Sequence, residues 1–169
     1  DAPGQRPSLA EVAGMLRPIL IHFRRANISL AFENHDRFRC ADLATLVEEL
    51  GTDCCGICLD AINSFGALEG PEVVVPKLAP YILNLHIKDF AFTRRGGWVG
   101  FTLEGVELGK GLLPYDYMIE KVNPEARGIN QVVEHWLTWQ DDYEKTSRIE
   151  NEWNAHNLAR LLRVFIGGR

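Results

Sequence analysis

The sequence predicts an α/β fold in which four parallel strands alternate with helices. Four short apolar runs are separated by longer segments whose apolar residues recur at the spacing of an amphipathic helix. Each run also ends in a carboxylate or a histidine, at the strand end where parallel sheets collect ligand-binding groups. Alternation of this kind favours a parallel sheet joined by right-handed crossovers.

Local signals place the elements along the chain. Ser8 and Glu11 form a capping box that starts the first helix, and Gly51 ends the second. Pro71 suits the first turn of the third helix, whereas Pro76 should shorten or bend that helix. The predicted helices cover residues 8–25, 41–50, a short segment from 71, 114–122 and 143–165, and the predicted strands cover residues 28–33, 54–60, 81–88 and 129–134.

A long insertion over residues 90–112 interrupts the alternation after the third strand, and we expect it to be a loop. Six glycines should make this loop mobile, while Phe92, Trp98 and Phe101 give it apolar surface. We predict a lid that excludes water from the reaction, with a disordered surface insertion as the alternative. The glycines are Gly96, Gly97, Gly100, Gly105, Gly109 and Gly111.

Composition narrows the class of protein. The net charge of −5 argues against nucleic acid as a partner, because such proteins need a basic face. No apolar run approaches the roughly 20 residues of a membrane span, so no membrane partner is expected. Cys54, Cys55 and Cys58 lack a second ligand pair for zinc, and buried thiols are favoured over a redox pair. Unpaired thiols fit a cytoplasmic protein.

The four strand ends carry Glu33, Asp60, His86 and Glu134. In a parallel sheet these ends meet at one edge, so three carboxylates and one imidazole should converge there. Such a donor set predicts one bound divalent cation, with manganese as the expected ion and magnesium, cobalt or zinc as alternatives. The alternative is four unrelated polar groups that face solvent.

Residues close to the strand ends are candidates for contact with a substrate. His35 and Lys88 each lie two positions beyond a predicted ligand and therefore point to the same side. The alternatives are a loop cap for His35 and a carboxylate partner for Lys88. Asn63 could hydrogen-bond a hydroxylated substrate, and Asp89 could orient Lys88 or cap the following loop.

Four motifs resemble the xylose-isomerase-like barrels, a family of sugar-phosphate isomerases, ketose epimerases and related lyases. They are LAFENH at residues 30–35, CLDAINS at 58–64, LHIKD at 85–89 and VE at 133–134, and LGKG at 108–111 is similar to the Gly-x-Gly turn of the family. The resemblance implies strands five to eight of a (β/α)8 barrel, that is, its C-terminal half. It also implies that Glu33 and Glu134 transfer protons as well as bind the metal.

The motifs depart from the epimerase pattern at two places. Asn63 stands where many epimerases have a histidine, and Arg94 or Arg95 would have to serve as the substrate-holding arginine. The runs ENH at residues 33–35 and NSFG at residues 63–66 are more similar to members that include sugar-acid decarboxylases and deglycosylating lyases.

The expected function is therefore a metal-dependent sugar or sugar-acid isomerase or epimerase that works through an enediolate. Glu33 and Glu134, on non-adjacent strands, suit opposite faces of a small carbohydrate substrate. One alternative is a metal-dependent lyase or decarboxylase acting on a sugar acid or glycoside. A second is a non-catalytic half-barrel that binds a sugar or a partner chain. An endonuclease on this fold is disfavoured by the five histidines and the acidic charge.

Length separates this chain from a complete barrel, which needs about 250 residues. We expect residues 1–169 to be a single domain that lacks the N-terminal half of the fold. The chain is then a fragment, or a second chain or its own copy completes the barrel. Five inward-facing residues should otherwise be exposed, and they are Leu30, Phe32, Leu59, Leu83 and Leu85.

Overall fold

The computed structural model describes residues 6–167 and contains the predicted alternation of strands and helices. The helices are α1 Leu9–Ala26, α2 Cys40–Leu50, α3 Pro71–Leu78, α4 Tyr115–Val122, α5 Pro124–Arg127 and α6 Tyr143–Gly167. The strands are β1 Leu30–Glu33, β2 Cys55–Asp60, β3 Ile82–Ile87, β4 Asp89–Arg94, β5 Phe101–Val106 and β6 Asn130–Val133. Short 3-10 turns cover Asn63–Ala67, Ala79–Tyr81 and Gly96–Trp98.

Four strands form one parallel sheet in the order β1-β2-β3-β6. Its register pairs Glu33 with Cys58 and Asp60 with His86, so the carboxyl ends of neighbouring strands lie side by side. The main core lies between this sheet and the helices, and Val47, Leu59 and Met118 are among its fully buried members. Burial of this apolar surface supplies most of the stabilisation and holds the strand ends in place.

The predicted boundaries agree with the structure to within a few residues. Ser8 and Glu11 form the capping box that starts α1. Pro76 lies inside α3, which has only eight residues, as the missing N–H of a proline inside a helix leads one to expect. The short helix α5 was not among the predicted elements. It starts at Pro124, directly after Asn123 in the left-handed conformation.

The insertion after β3 is a hairpin, not the glycine-rich loop expected from its composition. Strands β4 and β5 pair in antiparallel register from Asp89 opposite Val106 to Arg94 opposite Phe101. Phe65 packs against Phe90 with ring centroids 5.1 Å apart, and Phe92 packs edge-on against Phe101 at the same separation. These aromatic contacts, one across the two strands and one with Phe65, stabilise the hairpin, and the glycine content of the segment does not reveal them.

The expected exposure of five inward leucine and phenylalanine side chains is wrong for four of them. Leu59 and Leu85 are fully buried, and Leu30 and Phe32 pack against the core. Because successive residues of a strand point to opposite faces, they lie on the face opposite the strand-end ligands. Leu83 is the exception, with 40% of its surface exposed.

The structure also bears on the predictions about the cysteines and about membrane spans. All four cysteines are free and buried, as predicted for thiols in an apolar environment. Among the helices of residues 6–167, none is both long enough and apolar enough to cross a membrane.

Candidate metal centre

The four predicted ligands meet at one edge of the sheet. Glu33 ends β1, Asp60 ends β2, His86 lies near the end of β3, and Glu134 follows β6 directly. One ligand atom from each lies within 4.8 Å of all the others. The parallel register brings them together, and the backbone N–H of Glu134 extends the ladder by donating to the Ile87 carbonyl at 3.0 Å.

Several potential ligand atoms of this cluster are buried and contact only other charged or titratable groups of the cluster, without a well-formed hydrogen bond. They include Asp60 Oδ2, His86 Nδ1 and Glu134 Oε2. His86 Nδ1 lies 2.9 Å from Glu134 Oε2 and 3.4 Å from Glu33 Oε1. Buried polar atoms normally form good hydrogen bonds, and a divalent cation would offer these atoms one shared partner. The donor set of carboxylate oxygens and one imidazole nitrogen fits a divalent cation.

Asp60 is held rigidly so that one oxygen faces the cluster. Its Oδ1 accepts the backbone N–H groups of Ile62 at 2.9 Å and Asn63 at 3.1 Å. Its own backbone N–H donates to Asn34 Oδ1 at 2.8 Å, and Asn34 Nδ2 donates to Ser64 Oγ at 2.8 Å. These buried bonds leave Oδ2 as the oxygen available to a ligand. Asn34 and Ser64 were missed in the sequence, although both lie within its motifs.

The side chain of Lys88 lies between two of the predicted ligands. Its Nζ is 2.7 Å from Asp60 Oδ2 and 2.9 Å from Glu134 Oε1, and only 3% of its side chain is exposed. The Nζ also lies 4.2 Å from the centroid of the Trp136 ring. Lys88 therefore pairs with two carboxylates. The sequence offered pairing with a carboxylate as the alternative to contact with a substrate. Trp136 was not singled out in the sequence.

The charges of the cluster shift two pKa values in its neighbourhood. Burial by itself raises the pKa of Glu134, but the hydrogen bond and charge of Lys88, aided by His86, outweigh it and hold the pKa below its usual value. Burial, reinforced by the charge of Glu33, raises the pKa of the Cys58 thiol to about 11. Glu134 is therefore ionised at neutral pH, whereas Cys58 is a neutral thiol.

Asn63 and His35 both lie next to Glu33 but differ in burial. Asn63 Nδ2 donates to Glu33 Oε1 at 2.9 Å, and its buried Oδ1 has no hydrogen-bond partner. That oxygen is free to accept a hydrogen bond from a hydroxyl group of a substrate. The side chain of His35 is 58% exposed, and its Nδ1 contacts Asp36 Oδ1 at 2.8 Å. His35 also lines an apolar pocket with Glu33 and Phe38.

The structure does not bring Arg94 and Arg95 to the cluster. Both are exposed at the far end of the hairpin. Arg94 ends β4, and at ~3.4 Å per residue a strand of this length carries it about 17 Å beyond Asp89. The substrate-binding role of both arginines stays a prediction.

Asp89 fixes the glycine-containing turn beside the cluster. Its Oδ1 accepts the N–H groups of Phe90 at 2.8 Å and Leu113 at 2.9 Å. Its Oδ2 accepts those of Gly109 at 2.7 Å and Gly111 at 3.0 Å. Asp89 is buried, and its role is the loop cap that the sequence offered as one alternative. A β-carbon on Gly111 would lie 2.3 Å from Asp89 Oδ1, so only glycine fits there.

Helix α6 is tied to the same edge by a second buried polar group. His135, which follows the ligand Glu134, contacts Asn154 Oδ1 through Nε2 at 2.9 Å and Asn157 Nδ2 through Nδ1 at 3.2 Å. Asn157 Oδ1 accepts the backbone N–H of Leu108 at 2.9 Å. Asn157 thus links the strand end to the glycine turn. Two asparagines three residues apart in the sequence of an otherwise amphipathic helix were the available signal.

Comparison with known proteins connects this geometry to a family. A profile of the family described as "Xylose isomerase-like TIM barrel" matches residues 2–156. A 3-oxo-isoapionate decarboxylase from Pectobacterium atrosepticum is 44% identical over 156 residues, which cover 92% of this chain and 57% of the relative.

Two solved structures share the fold at low sequence identity. A xylose isomerase domain protein from Planctomyces limnophilus has a TM-score of 0.63 at 19% identity, over 98% of this chain and 56% of the other. A xylose isomerase-like TIM barrel protein from Mycobacterium smegmatis, in complex with magnesium, has a TM-score of 0.63 at 17% identity, over 90% of this chain and 53% of the other. The chain spans little more than half the length of these three proteins, so its four-stranded sheet corresponds to half of a barrel.

Proposed function

Because the chain belongs to the xylose isomerase-like TIM barrel family, we propose that it supplies the metal-binding half of a lyase that decarboxylates a 3-oxo sugar acid. The observation that carries the proposal is the convergent cluster of Glu33, Asp60, His86 and Glu134. Similarity to a decarboxylase over most of the chain supports the choice of reaction. The lyase alternative from the sequence is therefore favoured over the isomerase or epimerase reading.

Glu33, Asp60, His86 and Glu134 would hold one divalent cation. When bound, the cation would withdraw electrons from the carbonyl of a chelating substrate and stabilise the negative charge that forms as CO₂ leaves. We expect Mn²⁺, and the magnesium complex of a protein with the same fold makes Mg²⁺ a close second.

The chain's own residues would position the substrate and return a proton. As the bond between the carboxyl carbon and its neighbour breaks, the electron pair moves toward the 3-oxo oxygen as an enediolate or enolate. That carbon then takes one proton. Glu33 and Glu134 are the candidate donors in the cluster, and His35 is the alternative. Glu134, whose pKa is held below its usual value by Lys88, would have to take up a proton before it could donate one. Lys88 and the free Oδ1 of Asn63 are placed to orient polar groups of the substrate.

An isomerase or epimerase remains the second candidate. Glu33 ends β1 and Glu134 directly follows β6, the two outer strands of the sheet, so the two glutamates approach the cluster from different sides. Two bases on opposite sides would permit removal of a proton from one face of a substrate and return to the other. A decarboxylase needs only one proton donor.

The two reactions are distinguished by their products. We propose to incubate the full chain with 3-oxo sugar acids and with ketoses in deuterated water, with Mn²⁺ or Mg²⁺ added. Release of CO₂ that stops when a chelator is added, with one deuterium in the product, would support the lyase. Deuterium exchange without CO₂ would favour the epimerase. Retained metal with neither reaction would favour the non-catalytic half-barrel.

Three variants separate proton transfer from metal binding. Glu33→Gln and Glu134→Gln keep an oxygen ligand but remove the acid, so turnover at saturating metal should fall by about 10²–10⁴ for whichever residue transfers the proton. Asp60→Asn should weaken metal binding and recover with excess Mn²⁺. Full recovery of both glutamine variants would contradict a role in proton transfer and leave His35 or Lys88 as the donor.

The remaining half of the barrel has to come from outside the described sheet. Strands β1 and β6 each pair with one neighbour in this part of the chain, so each leaves one edge open to a further strand. We propose that another segment of the same protein, a second chain or a second copy covers these edges. Sedimentation of residues 1–169 alone should then show association or aggregation, and a stable, cooperatively folding monomer would contradict it. We also propose the cytoplasm as the compartment, because all four thiols are free.

A further inference from the structure

Lys88 contacts two of the carboxylates that are predicted to bind the metal ion. Asp60 uses Oδ1 for two backbone N–H groups, so Oδ2 is its only oxygen for a metal, and Lys88 Nζ lies 2.7 Å from that oxygen. Glu134 likewise has Oε1 at 2.9 Å from Lys88 while Oε2 faces His86. One ammonium therefore contacts two of the four predicted ligands.

The three carboxylates of the cluster require a nearby positive charge in the metal-free chain as well as in the metal-bound chain. Three carboxylates from different strands offer atoms within 4.8 Å of one another, and Asp60 is completely buried. Like charges held this close disfavour the folded state unless a positive group lies between them. Lys88 supplies one positive charge when no metal is bound. With a divalent ion as well, the three negative charges are balanced and the site is neutral.

Trp136 keeps the ammonium in this position. Its ring centroid is 4.2 Å from Lys88 Nζ, a cation–π distance. The backbone of Trp136 is in turn packed on the hairpin, since a β-carbon on Gly105 would lie 2.6 Å from the Trp136 carbonyl oxygen. Lys88 is thus enclosed by two carboxylates and an aromatic face, and it has little room to move away.

We propose that Lys88 is an internal counter-ion of the metal centre: it stabilises the folded chain while the site is empty and lowers the affinity for a divalent ion. The stabilising effect comes from pairing with Asp60 and Glu134. The lower affinity follows because Lys88 and the incoming ion compete for the same oxygens and repel each other. The proposal rests on the metal centre above but not on which reaction occurs there.

The test compares two neutral substitutions with a surface control. Lys88→Met and Lys88→Gln remove the charge, one without and one with hydrogen-bonding capacity. Lys110→Met removes a lysine that pairs with Glu107 on the surface, with 59% of its side chain exposed. For each full chain, Mn²⁺ affinity is measured by calorimetry, and thermal unfolding is followed in chelator and in saturating Mn²⁺.

Both Lys88 variants should bind Mn²⁺ at least about tenfold more tightly, because a like charge within a few ångströms of the ion has been removed. In chelator they should unfold at a lower temperature than the unmodified chain, and saturating Mn²⁺ should remove most of that difference. Lys110→Met should match the unmodified chain in both measurements. Trp136→Leu, which loosens the ammonium without deleting it, should shift Mn²⁺ affinity in the same direction by a smaller factor.

Unchanged or weaker Mn²⁺ binding in both Lys88 variants would overturn the proposal. So would equal unfolding temperatures in chelator. If Lys88→Met does not fold without metal, the requirement for the counter-ion is supported, and Lys88→Gln provides the affinity measurement. If the unmodified chain binds neither Mn²⁺ nor Mg²⁺, the metal centre itself is wrong. The chelator measurement then still decides whether Lys88 stabilises the carboxylate cluster.

Discussion

Two glycine-containing parts of the same insertion behave in opposite ways. The turn around Gly109 and Gly111 is held by four backbone hydrogen bonds to the buried Asp89 carboxylate. At the hairpin tip, β-carbons on Gly96 and Gly97 would meet no atom within 4 Å, and Trp98 is 82% exposed. Glycine in the turn is required by close packing, whereas glycine in the tip is not packed against anything. Glycine therefore occurs in a tightly packed turn at one end of the insertion and in an unpacked hairpin tip at the other.

Removal of the Asp89 carboxylate should have the largest effect on this contrast. Asp89→Ala would leave four buried or half-buried N–H groups without an acceptor, and we expect a loss of about 3–5 kcal/mol in the free energy of unfolding. Asp89→Asn keeps one acceptor oxygen and should lose less. Urea unfolding measures both. A loss below about 1 kcal/mol for Asp89→Ala would mean that water can replace the carboxylate.

A matched pair of glycine substitutions tests the contrast directly. In Gly111→Ala the new β-carbon would lie 2.3 Å from Asp89 Oδ1 and from the Phe90 carbonyl oxygen, so the turn must shift. We expect a loss of about 2–3 kcal/mol, as for other overpacked sites. Gly96→Ala has free space and should change stability by less than about 0.5 kcal/mol. Equal losses at the two positions, measured by thermal unfolding, would contradict the difference between turn and tip.

Deletion of the tip asks whether it acts as the lid expected from the sequence. Phe92, Trp98 and Phe101 expose apolar surface that closure over a substrate would bury. Deletion of residues 96–100 should lower turnover about tenfold or more while the unfolding temperature changes little. The readout is kcat beside thermal unfolding of the same variant. An unchanged kcat would assign the hairpin another role.

Thiol labelling compares the region around the cluster with the hairpin tip, and it should perturb the structure least. Burial and nearby carboxylates raise the pKa of Cys58 to about 11, and burial with the Glu69 hydrogen bond raises that of Cys40 to about 11. Both thiols should therefore react very slowly with iodoacetamide at pH 8 in the folded chain, and quickly after unfolding. Gly96→Cys at the tip should react at the rate of a free thiol. Fast labelling of Cys58 would show that the cluster opens readily.

The sequence predicted the family and the four-ligand cluster because both depend on local patterns. Apolar runs at regular spacing identify strands, and the last residue of each run marks the edge where parallel strands end together. The family assignment from four short motifs is confirmed. The lyase, given as the alternative from those motifs, is better supported than the isomerase. The exact roles of His35, Asn63, Arg94 and Arg95 stay predictions.

The hairpin and the position of Lys88 depend on contacts between residues that are distant in sequence. The glycines of the hairpin predicted a loop, and the ring of Phe65, which packs against Phe90 and Phe92, comes from another element. The position of Lys88 between Asp60 and Glu134 could not be read from spacing, since these residues come from three different strand ends and Trp136 from the segment beyond them. Strand periodicity specifies which face a side chain occupies, but packing across strands specifies which atom it touches.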